Sequence, residues 1–225
     1  MTDDRTMPDH SLKNGAIRRR GIMLILSSPS GAGKSTITRD LLLDRSLDLT
    51  LSISVTTRPR RSSEVDGIHY HFKTKQEFER LRAADDLLEW AEVHGNYYGT
   101  PRSPVDEAIS QGHDVIFDID WQGTQQVREK APKDVGTFFT LPPSMDELRA
   151  RLERRAEDAA DVIAKRLDNA RNEIERWKMY DYVVVNDDLQ RALGEVKAIL
   201  IAERVKRTRS QEAIEDYIGN LLARY

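Results

Sequence analysis

Hydrophobic residues along this chain follow two spacings, one typical of strands and the other of helices. Five segments are short apolar runs or strict alternations of apolar and polar residues, which predict strands at 22–26, 51–55, 114–120, 135–141 and 182–185. Four others have helical composition or apolar residues at helical spacing, and they lie at 35–43, 75–84, 145–180 and 189–221. This order of segments predicts an α/β fold with about five parallel strands and helices on both faces of the sheet.

A glycine-rich turn joins the first predicted strand to the first predicted helix and reads Ser-Pro-Ser-Gly-Ala-Gly-Lys-Ser-Thr over residues 28–36. Gly31 and Gly33 let the backbone turn its N–H groups inward, where the next helix N-terminus adds partial positive charge. Lys34 can reach the outer phosphates of a nucleotide, and the Ser35 hydroxyl is placed to ligate a bridging magnesium ion. Ser28 stands where this phosphate-loop pattern has a glycine, and an ordinary turn between strand and helix is the alternative interpretation.

Composition and charge exclude several classes of protein. The 225-residue chain has no cysteine, which excludes disulfides, thiolate catalysis and cysteine zinc sites and is compatible with a reducing compartment. It has neither the run of about 20 apolar residues that a membrane span needs nor the apolar core of a secretion signal. Its net charge of −3 argues against a nucleic-acid-coating protein. We therefore expect a cytoplasmic protein without membrane or nucleic-acid partners, either a monomer or a homo-oligomer.

The remaining segments suggest how the chain is organised around this core. Asp118 and Asp120 lie near the carboxyl end of a predicted strand, the end that faces the ligand crevice in an open parallel sheet. The segment 54–100 is rich in short strands and turns, which predicts a small mixed insert. Residues 1–20 are polar and lack periodicity, which predicts a disordered tail, with a functional basic arm as the alternative.

The stretch 145–180 is almost wholly charged, with acids and bases in balance. A solvated helix pair is the default interpretation of such composition. However, Arg149, Arg151, Arg154 and Arg155 crowd one short stretch, and further arginines follow. A mobile lid that presents arginines to phosphates would have the same composition, so both interpretations stay open at this point.

Taken together, these segments resemble those of the guanylate kinases, P-loop nucleoside monophosphate kinases that phosphorylate GMP. The resemblance extends from about residue 21 to residue 207. The matching segments are PSGAGKST at 29–36, SVTTR at 54–58, EVDGIHYHF at 64–72, LLEWAEVHGNYYGT at 87–100, FDIDWQG at 117–123, LPPS at 141–144 and VVVNDDL at 183–189.

The resemblance implies one domain with the P-loop nucleoside monophosphate kinase fold, in which a parallel sheet of about five strands is flanked by helices. It implies a core of 21–53, 101–141 and 181–207, a small mixed α/β GMP-binding insert at 54–100, and a helical lid at 142–180. The helix expected at 208–225 lies outside the resemblance.

The implied activity is transfer of the γ-phosphoryl group of ATP to GMP, with Mg²⁺. The residues implied to bind ATP are Ser30, Gly31, Ala32, Gly33, Lys34, Ser35, Thr36 and Asn186. Lys34 and the lid arginines Arg151, Arg155 and Arg166 are implied to be catalytic. Ser35 is the implied metal ligand, with Asp118 acting through water and Asp120 as its competitor for that role. Asn186 could instead be a turn residue that closes a strand.

The implied acceptor is GMP, and dGMP is also expected. The residues implied to bind it are Ser54, Arg58, Arg61, Tyr70, Glu89, Tyr98, Thr100 and Asp120. Guanine offers donors at N1 and N2 and an acceptor at O6, so two carboxylates and a serine hydroxyl complement it, whereas adenine would put a lone pair against a carboxylate. Arg60 competes with Arg61 for the phosphate, and Glu89 could be an exposed polar residue of a strand.

Two other functions remain possible at this point. A related kinase of a phosphorylated sugar would not need Glu89, Asp120 and Ser54 together around a base. Non-catalytic modules that resemble guanylate kinases and bind proteins typically lose the loop lysine or the lid arginines, which this chain keeps.

Overall fold

The structure, a computed structural model, describes residues 12–13, 16–93, 95–155 and 160–223. The strands in these residues are β1 (Leu12–Lys13), β2 (Ala16–Ile17), β3 (Met23–Ser27), β4 (Leu49–Leu51), β5 (Val55–Thr56), β6 (His71–Phe72), β7 (Leu87–Val93), β8 (Asn96–Pro101), β9 (Asp114–Asp118), β10 (Val135–Leu141) and β11 (Tyr182–Val185). The α-helices are α1 (Lys34–Leu43), α2 (Lys75–Ala83), α3 (Arg102–Ser110), α4 (Trp121–Lys130), α5 (Met145–Arg155), α6 (Ala160–Ile174), α7 (Leu189–Arg204) and α8 (Gln211–Leu222). None of the described helices is long and apolar enough to cross a membrane.

The main sheet has five parallel strands in the order β11-β10-β3-β9-β4, which confirms the predicted α/β architecture. Its central strand β3 is buried on both faces, because Leu24 and Leu26 pack on one side while Met23 and Ile25 pack on the other. Helices α1 and α7 cover the first face, and α3 and α4 cover the second. The chain leaves the carboxyl end of β3 directly into the glycine-rich turn, so this turn lies at the edge where α/β sheets bind ligands.

The insert forms a second sheet of four strands in the order β6-β5-β8-β7, with both parallel and antiparallel pairs. The predicted single strand over 51–55 is wrong, because β4 belongs to the main sheet and β5 to the insert. Residues 52–54 carry the chain from one sheet to the other, as Ser52 N donates to Ile116 O and Ser54 O accepts from His71 N. Each sheet thus satisfies the backbone groups next to it, and the alternation of apolar residues alone does not reveal the break.

Two helices form the predicted lid region, and they pack on each other through Leu148, Leu152, Leu167 and Ala170. α5 also lies against the glycine-rich turn, where a methyl group added at Gly31 would come within 3.0 Å of Leu148 and Leu152. A short 3₁₀ helix, Glu175–Met179, follows α6 and leads into β11. The exact domain boundaries proposed from the sequence stay predictions.

The predicted disordered tail is wrong for its last residues, although residues 1–11, 14 and 15 lie outside the described ranges. β1 and β2 pair as an antiparallel hairpin. Arg19 makes a bidentate ion pair with the buried Asp114, with N···O distances of 2.6 and 2.9 Å, and Arg20 pairs with Asp134 at 2.9 Å. A buried carboxylate needs a partner, and the arginine run that looked like a solvated tail supplies it.

The segment after α7 is anchored in the core. Arg209 is 7% exposed, and its guanidinium pairs with the buried Glu203 and donates to the carbonyls of Lys133 and Val135 at 3.1 and 3.2 Å. Glu203 also accepts from the Tyr182 hydroxyl at 2.7 Å. The amino edge of β10 and β11 is therefore closed by residues near the end of the chain. α8, which carries no buried residue, follows this contact.

Candidate active site

The glycine-rich turn is a compact backbone loop around two glycines with positive φ. Gly31 has a φ of 93° and Gly33 a φ of 106°, in the left-handed region that favours glycine. Gly33 also has no room for a side chain, because a Cβ there would lie 2.2 Å from Nδ2 of Asn186. That Nδ2 donates to Ala32 O at 2.8 Å, so Asn186, which is 6% exposed, holds the loop from the end of β11.

A cleft of about 360 Å³ opens beside this loop at the carboxyl edge of the main sheet. Its lining residues are Ser27, Ser28, Pro29, Ser30, Gly31, Gly33, Lys34, Ser35, Asp118, Asp120, Trp121, Phe139, Glu173 and Tyr180. Lys34 Nζ forms an ion pair with Asp118 across the cleft. Lys34, Asp118 and Asp120, which the sequence predicts as site residues, therefore line the same cleft.

The cleft contains oxygen donors that suit a magnesium ion. The Ser35 hydroxyl and the Asp118 carboxylate line the same cleft, and the Asp118 side chain is 41% exposed. Mg²⁺ usually takes one or two protein oxygens and completes its shell with water and substrate phosphates, so this donor set fits that ion. The described residues contain no group of three or more His, Cys, Asp or Glu side chains that could hold a metal by themselves.

A pair of carboxylates lies at the N-terminus of α4. Asp120 caps this helix, with Oδ1 accepting from Gly123 N at 2.9 Å. Glu89, from β7 of the insert, approaches the same turn so closely that a methyl group at Gly123 would lie 2.9 Å from its Oε2. Positive charge at a helix N-terminus favours both carboxylates. Glu89 is 5% exposed, so the alternative of an exposed strand residue is wrong.

Burial gives Glu89 an unusual acidity. Desolvation raises its pKa to about 7, and the charge of Asp120 adds to that rise. The Thr100 hydroxyl, which donates to Glu89 Oε1 at 2.7 Å, acts in the opposite direction. A buried acid that titrates near neutral pH and is held by one hydroxyl is typical of a functional site.

An arginine clamp forms the other end of the insert. Arg58 donates to Glu64 Oε1 at 2.7 Å, and the backbone N–H of Arg61 donates to the second carboxylate oxygen at 2.8 Å. These contacts, the Arg58 hydrogen bond first, lower the pKa of Glu64 to about 2. Arg60 donates to the Glu64 carbonyl at 2.8 Å, while Arg61 is exposed. The structure therefore commits Arg60 to its own loop, which favours Arg61 for an incoming anion.

Aromatic rings pack next to the Arg58 guanidinium. The Tyr70 ring packs edge-on against Tyr98 and Phe72, each with centroids 6.0 Å apart, and the Arg58 guanidinium lies 5.6 Å from the Tyr70 centroid. Burial raises the pKa of Tyr70, with smaller contributions from Tyr98 and Asp118 that act in the same direction.

The insert is fastened to the core along α4. Gln126 exchanges two hydrogen bonds with the Trp90 backbone, at 3.1 and 2.9 Å, and Lys130 Nζ donates to Leu87 O at 2.7 Å. Leu88 of β7 is buried in the main core. The same helix thus places Asp120 by its cap and Glu89 through the strand that packs on it.

A comparison with known families accounts for this combination of loop, acids and insert. The family model described as guanylate kinase matches residues 20–203. The chain belongs to the guanylate kinase family. This confirms the resemblance noted from the motifs.

Curated relatives agree with this family membership over most of the chain. A guanylate kinase of Mesorhizobium japonicum is 63% identical over 206 residues, which are 92% of this chain and 94% of that protein. A guanylate kinase of Chelativorans sp. is 60% identical over 210 residues, covering 93% and 95% of the two chains. The crystal structure of guanylate kinase from Anaplasma phagocytophilum matches with a TM-score of 0.70 and 36% identity, covering 88% of this chain and 95% of that one.

The lid arginines of this guanylate kinase family member take different positions. Arg151 donates to Glu147 Oε1 at 2.8 Å, to Asn186 O at 3.0 Å and to Ala32 O at 3.4 Å. Arg151 therefore contacts the loop backbone at Ala32 and is not among the residues that line the cleft. Arg166 lies half-buried on α6. Arg155 ends α5, and its side chain lies outside what the structure describes. The predicted catalytic roles of the three arginines stay predictions.

A second pocket of about 380 Å³ lies on the other side of the loop. Its lining residues are Gly31, Gly33, Thr36, Arg151, Arg154, Asn186, Asp187 and Leu189. This pocket contains both Arg151 and Asn186, which the family resemblance associates with ATP. Asn186 serves here as a support of the loop backbone, so the alternative of a plain turn residue understates its structural contribution.

Sequence reasoning missed several residues that shape the site. Glu64 and Gly123 both lie inside the segments that match the family. The sequence did not reveal that Glu64 is the partner of Arg58, or that the missing side chain of Gly123 leaves room for Glu89. The available signal was Gly123 itself, because glycine destabilises a helix and its presence in the first turn indicates that another group approaches the backbone closely. Glu173 of α6, which lines the cleft, had no signal apart from its place in a charged stretch.

Proposed function

We propose that this guanylate kinase family member transfers the γ-phosphoryl group of ATP to GMP, giving ADP and GDP reversibly. One observation carries the proposal: Asp120, the N-cap of α4, lies between the buried acid Glu89 and the cleft of the phosphate loop. A base-recognition pocket and a triphosphate site thus share a single helix N-terminus, which suits transfer between two nucleotides.

Guanine recognition is assigned to the two carboxylates. Ionised Glu89 and Asp120 accept hydrogen bonds from the N1 and N2 donors of guanine, and the Ser54 hydroxyl donates to O6. Thr100 holds Glu89 in place through its 2.7 Å hydrogen bond. Adenine presents a lone pair at the corresponding ring nitrogen, so its binding would leave a buried carboxylate facing another acceptor, which costs free energy.

The monophosphate of GMP is assigned to the clamp of the insert. Arg58 and Arg61 are the cations, and the Tyr70 and Tyr98 hydroxyls are neutral donors. Glu64 fixes the Arg58 guanidinium and the Arg61 backbone, so the phosphate meets a preformed set of donors.

Phosphoryl transfer needs no general base here, because the acceptor is already an anionic phosphate oxygen. The loop N–H groups hold the triphosphate, and Lys34 neutralises charge that develops on the transferred group. Magnesium, held by Ser35 and through water by Asp118, would supply further charge neutralisation at the outer phosphates. The lid arginines Arg151, Arg155 and Arg166 are proposed to contact the same phosphates, Arg151 after exchanging its present loop contacts.

A coupled assay of ADP release tests this function directly. With ATP and magnesium fixed, we expect turnover with GMP and dGMP and rates lower by at least about 10³-fold with AMP and UMP, the scale of rejection by unpaired buried polar groups. Turnover with ribose phosphates in place of GMP would contradict the proposal and favour a sugar-phosphate kinase. Absence of turnover with every acceptor, from folded protein that binds GMP, would favour a non-catalytic module.

The composition of the chain also supports a proposal for its cellular setting. The cysteine-free composition and modest net charge support a cytoplasmic protein with small-molecule substrates and no nucleic-acid partner.

A further inference from the structure

One acid of the lid lies in the phosphate cleft. Glu173 is the residue before the last of α6 and lines the cleft with Ser30, Lys34 and Asp120. Its Oε2 is buried and has no hydrogen-bond partner among the described residues. A buried carboxylate oxygen without a partner costs free energy, so the surroundings of this side chain must compensate for its charge.

The compensating groups belong to the phosphate loop. Burial has the largest influence on Glu173 and raises its pKa, and the charge of Asp120 acts in the same direction. The Ser30 backbone N–H, the next largest influence, and the Lys34 ammonium both act to lower it. Ser30 and Lys34 also line the cleft with Glu173, so both lie where they can act on a charge at its carboxylate. Inward-facing backbone N–H groups and a lysine are also what a phosphate loop offers to a nucleotide.

We propose that Glu173 is an intramolecular competitor of ATP, whose carboxylate occupies the phosphate cleft beside Ser30 and Lys34 and must leave when the triphosphate binds. The proposal rests on the proposed function only in that the loop binds ATP phosphates. A carboxylate and a triphosphate held in the same cleft repel each other strongly. The arrangement with the carboxylate at the loop and the arrangement with the phosphate there thus exclude each other, and ATP shifts the balance between them.

The position of Glu173 in the lid gives this competition a structural consequence. α6 carries the predicted phosphate contact Arg166 seven residues earlier, on the same helical face. The 3₁₀ helix that follows carries Arg176, whose guanidinium lies 3.5 Å from the centroid of the Trp121 ring at the cleft. Glu173 therefore lies on the same helical face as the residue proposed to contact the transferred phosphate, so displacement of its carboxylate by ATP would link donor binding to the lid.

Binding of inorganic tripolyphosphate and of ATP, measured by titration calorimetry with magnesium and without GMP, tests the competition. We expect Glu173→Gln and Glu173→Ala to tighten both ligands about five- to tenfold, since a competitor in place nine-tenths of the time weakens apparent affinity tenfold. The matched control Glu175→Gln removes the same charge at an exposed position two residues away and should change neither affinity by more than about twofold. Adenosine, which lacks phosphates, should bind all variants equally.

Steady-state kinetics add a readout that loss of structure would not mimic. Glu173→Gln should lower KM for ATP and leave KM for GMP unchanged, whereas a damaged fold would raise both. Equal or weaker binding of tripolyphosphate by folded Glu173→Gln and Glu173→Ala would overturn the proposal. If the unsubstituted protein binds neither ATP nor tripolyphosphate, the proposed function itself fails, which is a different result.

Discussion

The phosphate loop and the proposed guanine pocket lie on either side of the α4 N-terminus, but they are built in different ways. The loop is one continuous segment, 28–36, whose backbone N–H groups would bind the phosphates and whose shape depends on two glycines with positive φ. The pocket takes single side chains from separate elements, with Glu89 from β7, Thr100 from β8 and Asp120 from the cap of α4.

This difference determines which amino-acid substitutions each site tolerates. A backbone site accepts substitutions that keep its conformation, which explains how Ser28 can stand where a glycine is common. A side-chain site depends on each carboxylate and on the contact that holds it, such as the 2.7 Å bond from Thr100 to Glu89. Substitutions on the two sides should therefore differ in which substrate they affect and by how much.

The largest effect is expected at the single charged side chain of the loop. Lys34→Ala should lower kcat by at least about 10³-fold, the scale expected when a main transition-state charge is deleted. Steady-state kinetics with both substrates saturating measure it. Lys197→Ala, which breaks an ion pair between α7 and Asp44 at the opposite end of α1 from Lys34, is the control and should leave kcat within about twofold. A loss under tenfold for Lys34→Ala would remove that lysine from its proposed role.

The guanine side should respond through one substrate only. Glu89→Gln puts an amide donor against the guanine donors, so KM for GMP should rise about 10²-fold while KM for ATP stays within about twofold. Glu92→Gln, at an exposed position of the same strand, serves as the matched control. Equal changes in both KM values would show that Glu89 supports the fold rather than the base.

The acidity of Glu89 predicts a pH dependence confined to GMP. Burial raises its pKa to about 7, so the carboxylate that accepts the guanine donors forms as pH rises through that value. KM for GMP should rise by up to about tenfold for each pH unit below 7 and level off above it. The GMP phosphate also titrates near pH 6, so the Glu89→Gln variant sets the background. A KM for GMP with the same pH profile in both proteins would contradict the assignment.

The smallest effect concerns the gap that admits Glu89. Gly123→Ala puts a methyl group 2.9 Å from Glu89 Oε2, and the displaced carboxylate should raise KM for GMP about fivefold with ATP unaffected. Gly194→Ala in α7 is the comparison, because a Cβ there meets nothing within 4 Å. That control should leave KM unchanged and stabilise the protein by about 0.4–1 kcal/mol in thermal unfolding. An unchanged KM for Gly123→Ala would mean that the acid can move without cost.

The sequence predicted the elements whose signals are local. The apolar run of β3 and the following loop could be recognised together, and the parallel sheet follows from runs such as Val135–Leu141 that are buried on both faces. That Glu89 and Asp120 lie at the same turn was predictable only through family resemblance, because they are 31 residues apart in the sequence and meet through the packing of β7 on α4; their role in binding guanine stays a prediction.

What sequence reasoning missed depends on contacts between distant segments. Nothing local distinguishes Glu173 from the other acids of a balanced charged stretch, yet the packing of the lid brings it to the loop. From the sequence alone, the arginines before Gly21 look solvated. The structure shows that Arg19 forms an ion pair with the buried Asp114. The break between β4 and β5 was hidden because both sheets accept the same alternation of residues.

The ion pair between Arg209 and Glu203 has a consequence for how firmly the sheet is closed. One guanidinium binds the carbonyls of Lys133 and Val135 and the buried Glu203, and it comes from a residue beyond the family match, which ends at 203. Arg209→Ala would leave the Glu203 carboxylate buried without its cation, at a cost of about 3–5 kcal/mol. The amino end of β10 should then open more often, which limited proteolysis would detect as faster cleavage.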